Sequence, residues 1–116
     1  MTARLSREEH NRIALERLGE KRCVAFLRAA RARAGCTAVR LINEHLDRGL
    51  TIADVLLRRD EQDAGFALEV KRVGPLHFHI DFGFIGPMLG DGGDWDVEFD
   101  AGGRVERCLG RMLWVS

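Results

Sequence analysis

The chain has 116 residues, 46% of them hydrophobic, and its 18 basic and 18 acidic side chains cancel. That is the size of one ordinary domain around one core, with little volume left for a deep enclosed cavity. No run approaches the ~18 consecutive apolar residues of a membrane span, and Met1 to Glu20 is charged throughout, without the apolar centre of a secretory signal, so a cytoplasmic protein is expected.

Ser6 followed by Glu9 is a capping-box signature, and a helix is expected from there through Ile13, Ala14, Leu15 and Leu18, loosened at Gly19. From Glu20, the residues Cys23, Phe26, Leu27, Ala30 and Ala34 recur along one helical stripe, with Gly35 placed as a C-cap. A third helix is expected near Thr37, turning Val39, Ile42 and Leu46 inward and ending at Gly49. A fourth opens at Thr51, with Asp54 three residues on, and offers Ile52, Val55 and Leu56 to the core. The charged run from Arg58 to Asp63 reads as its solvated exit.

After Gly65 the hydrophobic period changes from 3.6 to 2. Phe66, Leu68 and Val70 alternate with Ala67, Glu69 and Lys71, and Gly74-Pro75 is a turn signal. Next, Leu76, Phe78, Ile80, Phe82 and Phe84 face one way, while His77, His79, Asp81 and Gly83 face the other. A glycine-rich loop from Gly86 to Gly93 leads to a strand with Trp95, Val97 and Phe99 inward and Asp94, Asp96 and Glu98 outward. Asp100-Ala101-Gly102-Gly103 is a hairpin turn. In the last strand, Arg104 to Val115, inward odd positions would bury Arg107 and Arg111 without partners. The even positions Cys108, Met112 and Trp114 are therefore expected inward, with Arg107 and Arg111 beside Asp96 and Glu98 across the hairpin. The fold predicted is α+β in a single domain. N-terminal helices (1–63) pack on one face of a four-stranded antiparallel meander (64–116), and its other face is left to water.

Four constellations bear on function. His77-x-His79-x-Asp81 sets two imidazoles and a carboxylate on one strand face, where a divalent metal is the one cofactor the residues suggest, with Glu69, Asp96 or Glu98 completing the site. A polar open sheet face accounts for the same residues without a metal. Asp91-Gly92-Gly93-Asp94-Trp95-Asp96 is an oxygen-rich stretch of the kind that binds calcium, but EF-hand spacing is absent and a tight turn entering an acidic strand explains it. Phe84-Ile85-Gly86-Pro87-Met88-Leu89-Gly90 is an apolar loop that either meets a partner or closes over the core. A helix-turn-helix over Val39 to Arg59 has an apolar second helix, and with an isoelectric point near 6.9 this argues against nucleic acid.

Other chemistry is hard to build. No GxSxG elbow, P-loop or GxGxxG segment occurs. The only serines are Ser6 and Ser116, and tyrosine is absent. Cys23, Cys36 and Cys108 fit no CxxC or zinc spacing and are expected as reduced structural thiols. Residues 1–60 carry 13 Lys and Arg against 8 Asp and Glu, and residues 61–116 carry 5 against 10. A basic helical layer complementing an acidic sheet is the expected consequence.

The closing stretch Val97 to Val105, ending at Trp114, resembles the last hairpin of small cystatin-like α+β domains of the nuclear-transport-factor-2 type. The resemblance implies a curved sheet around a small-molecule pocket, but covers the hairpin alone and brings over no functional residue. The functional expectation is a non-enzymatic protein-binding or adaptor domain, a toxin neutraliser among the options, with a protein partner or a second copy on Phe84, Ile85, Met88, Leu89, Asp96 and Glu98. The alternative is a small-molecule or metal-binding domain or enzyme using His77, His79 and Asp81.

Overall fold

The computed structural model describes residues 5–30, 37–57, 65–86 and 89–115. Four helices, α1 (Arg7–Leu18), α2 (Glu20–Ala30), α3 (Thr37–Asp47) and α4 (Ile52–Leu56), precede four strands, β1 (Gly65–Arg72), β2 (His77–Ile85), β3 (Gly90–Phe99) and β4 (Val105–Val115). The strands form an antiparallel meander in the order β1-β2-β3-β4, so the class is α+β. Among the described residues no helix lies between the strands, and the likeness to the cystatin-like domains stops at the hairpin. No helix among the described residues is long and apolar enough to cross a membrane.

The helix boundaries follow from local chemistry. The Ser6 hydroxyl accepts the Glu9 N–H at 3.2 Å and starts α1. Gly19, at φ 89°, adopts a conformation that a side chain would resist, and breaks α1 from α2. Thr51 and Asp54 close a complete capping box on α4. The helices bury Phe26, Leu27, Val39, Ile42 and Ile52 against Leu68, Val70, Phe78, Ile80, Phe82, Trp95, Val97 and Phe99. At the centre, Phe26 meets Trp95 edge-on with ring centroids 5.3 Å apart.

Cys23 lies inside this core. Burial, helped by the nearby Glu20 charge, pushes its thiol up to about 12. It is therefore expected to resist iodoacetamide in native protein at mildly alkaline pH and to react fully in urea. Peptide-resolved alkylation showing equal rates in both states would contradict its place in the core. Cys108 is half-buried and in no disulfide among the described residues, and Cys36 lies outside them.

α1 also closes the free edge of the sheet at β1. The buried Asn11 amide donates to Leu56 O (2.8 Å) at the end of α4 and to Phe66 O (2.9 Å), and its oxygen accepts the Leu68 N–H (3.0 Å). Arg17 then donates to Val70 O at 3.1 Å. Side chains of a helix thus take the ladder bonds that a neighbouring strand would take.

Two expectations about the sheet are corrected. β3 begins at Gly90, so Asp91, Gly92 and Gly93 belong to a strand and not to the glycine-rich loop. Asp91 faces the helices and caps α3, its carboxylate accepting the Thr37 N–H at 2.6 Å and the Ala38 N–H at 3.0 Å. In β4 the inward parity of even positions holds at Cys108, which packs against the core, and then fails. Trp95 pairs with Gly110 and Asp94 with Met112, which leaves Arg111 as a bulge. One extra residue shifts the alternation, so Met112 and Trp114 lie on the open face instead of inside.

Candidate functional site on the open sheet face

The face of the sheet away from the helices has a polar half and an apolar half. Register builds the polar half: His77 pairs with Glu98, His79 with Asp96, Asp81 with Asp94, and Glu69 with Asp81. Alternate residues of three strands therefore present their side chains side by side.

His79 is the centre of the cluster. Its Nδ1 lies 3.3 Å from Asp96 Oδ1, while its Nε2 lies 3.4 Å from Asp94 Oδ2 and 3.7 Å from Asp81 Oδ2. The other Asp94 oxygen accepts the Met112 N–H at 2.8 Å, on the bulged strand. One ligand atom each from His79, Asp81 and Asp94 fall within 4.8 Å of one another. His77 stands apart from this trio, its Nε2 3.6 Å from Asp96 Oδ1. Of the residues expected as metal ligands, the fold brings His79 and Asp81 together and adds Asp94, while His77 faces Asp96.

The charges are uneven. Burial against the sheet raises the Asp81 carboxyl above its usual range; His79 pulls the other way, and the Asp94 and Glu69 carboxylates add to the rise. The hydrogen bond from His79 holds Asp96 below the usual range against some desolvation, helped by the charges of Arg111, His79 and His77. Arg111 lies 3.5 Å from Asp96 and Arg107 3.9 Å from Glu98, as the cross-hairpin pairing anticipates. Asp96 and Glu98, expected as contacts for a basic partner, thus face arginines of their own chain.

The apolar half begins where glycines replace side chains. The Trp114 indole lies across Gly83 and Gly92, which leave room for it because neither carries a Cβ. Ile85, Leu109 and Met112 are exposed on the same face, and Leu89 is 74% exposed beyond the end of β2. Phe84 faces the other way, packed against the core with its ring 5.2 Å from that of Phe66. The segment from 84 to 89 is therefore divided: Phe84 packs as part of the core, while Ile85 and Leu89 face water. Met88 lies outside the described residues.

The helix-turn-helix reading finds α4 only five residues long, with Ile52, Val55 and Leu56 buried. Arg58 and Arg59 lie outside the described residues. Sequence reasoning missed Asp94 as a member of the trio and Trp114 as a surface residue. The signal for Asp94 was its outward parity on β3; for Trp114, the glycines at 83 and 92.

No protein-family model, curated protein or solved structure matches the chain. The functional reading therefore stands on the chemistry and geometry above.

Proposed function

We propose that this chain is a non-enzymatic protein-binding domain that associates with a second copy of itself along β4. The exposed apolar end of the edge strand β4 carries the reading. An edge strand offers backbone donors and acceptors to any passing chain, and proteins commonly cover or charge it. β1 is covered by Asn11 and Arg17 from α1. β4 is the opposite edge, and five of its last seven residues are exposed and apolar: Leu109, Met112, Leu113, Trp114 and Val115.

These side chains lie on both faces of the strand. Register sets Leu109, Met112 and Trp114 with the open face, and Leu113 and Val115 with the helix side. A lone added peptide strand would leave much of that surface wet. In a two-fold contact each copy's apolar segment meets the other's, and the two sheets continue as one. Ile85 and Leu89 extend the patch at the same end of the sheet. An adaptor role, in which this assembly presents a larger surface to a further protein, suits such a domain. Reduced thiols at Cys23 and Cys108 fit a cytoplasmic setting.

Met112 is 67% exposed and Val115 81% exposed, so lysine at both positions leaves the fold of one copy intact. Sedimentation equilibrium is expected to give a dimer for the parent chain. The paired Met112→Lys and Val115→Lys variant is expected to associate about 100-fold more weakly, with melting unchanged within a few degrees. A parent chain that stays monomeric at high concentration would sink the proposal.

A further inference from the structure

We propose that His79, Asp81 and Asp94 form a three-ligand site for a divalent transition-metal ion, zinc or manganese, on the open sheet face. Ligand atoms about 2.1 Å from a tetrahedral ion stand about 3.4 Å from one another. Nε2 of His79 is 3.4 Å from Asp94 Oδ2 and 3.7 Å from Asp81 Oδ2. The Asp81 and Asp94 oxygens lie within 4.8 Å of each other, and Asp81, the exposed member of the trio, has room to move inward and close the shell.

The surroundings orient these ligands as metal sites require. Histidine ligands commonly donate their second ring N–H to a carboxylate, which fixes the ring and the tautomer. Asp96 Oδ1, 3.3 Å from Nδ1, is that carboxylate here. With the proton on Nδ1, the Nε2 lone pair points at Asp81 and Asp94. Asp94 is held in turn by the Met112 N–H on its far oxygen, which leaves Oδ2 for the ion. The bulge at Arg111 thus bears on the site as well as on the strand edge, since it brings Met112 opposite Asp94.

Charge argues the same way. Three carboxylates surround one imidazole, with Glu69 paired beside Asp81, and Arg111 meets Asp96 at its other oxygen, Oδ2. A dication offsets this excess. One nitrogen and two carboxylate oxygens suit zinc or manganese, whereas calcium takes oxygen alone in larger shells and copper(I) favours sulfur. Three protein ligands leave a fourth position for water or for a group from a partner. The site is independent of pairing along β4, and failure of either leaves the other standing.

The test is titration calorimetry of the full chain, stripped with chelator, against zinc and separately against manganese. One equivalent per chain is expected for at least one of the two. His79→Gln and Asp94→Asn are each expected to weaken binding at least 100-fold. Asp96→Asn, which loosens only the imidazole, is expected to weaken it about 10-fold or more. His77→Gln is expected to leave it within about threefold, since that imidazole stands outside the trio. Circular dichroism of each variant guards against misfolding, and parent stoichiometry needs no variant. Absence of saturable binding of both ions, or affinity unmoved by His79→Gln and Asp94→Asn, overturns the proposal. So does loss with His77→Gln alone.

Discussion

Replacing Asn11 by alanine is expected to destabilise the protein by about 3–5 kcal/mol, since a small domain commonly has about 5–15 kcal/mol in all. The side chain is almost wholly buried and uses both its donors and its acceptor. Alanine leaves Leu56 O, Phe66 O and the Leu68 N–H without this partner in a place where water enters poorly. Each stranded group costs about 1–3 kcal/mol. Asn11→Asp separates this from simple loss of volume. It keeps the bond from Leu68 N–H but turns a carboxylate oxygen toward two carbonyl oxygens, and is expected to be at least as damaging. Equilibrium urea unfolding reads both. A loss below about 1 kcal/mol for Asn11→Ala would mean that α1 does not seal the β1 edge as described.

Gly92→Ala is expected to cost about 3 kcal/mol, near the upper end for overpacking. A methyl group there would stand 2.5 Å from Phe82 O, 2.6 Å from the Gly83 Cα and 2.6 Å from Trp114 Cζ2. The indole can swing away. The other two atoms are backbone of β2, so β2 and β3 must part. Gly83→Ala meets the indole first, with Asp91 O at 2.9 Å behind it. It is expected to expel Trp114 and red-shift its emission, while Trp95 stays buried. Unfolding midpoints and fluorescence of the two variants check this together. A Gly92→Ala protein as stable as its parent would remove the close packing of β2 on β3 beneath Trp114.

The open face follows the parity of single residues closely. The alternation from Phe78 to Phe84 already placed His77, His79 and Asp81 opposite the core, because a strand has only two faces. Arg107 stands against Glu98 through a one-residue register shift at Glu106, just after the hairpin turn. Parity fails only where a strand gains a residue. Nothing local in Arg107 to Trp114 announces the bulge at Arg111, where the register shifts by one and the Asp94 side chain takes the Met112 N–H. Hence Trp114, which the even-position alternation sends inward, lies on the outside over two glycines.

Periodicity, caps and turn residues by themselves determined the four helices, the four strands and the buried set from Phe26 to Phe99, since these depend on neighbours a few residues away. The starting point of β3, the role of Asp91 as the cap of α3 and that of Asn11 as the seal of β1 were decided by tertiary structure alone. The last two each join groups more than forty residues apart in the chain. An amide or carboxylate that bonds to a distant backbone looks, along the chain, like any other polar residue at a helix or loop position. The seal on the β1 edge rests on the same kind of contact, whereas the meeting of His79 and Asp81 with Asp94 follows from the register of β2 on β3.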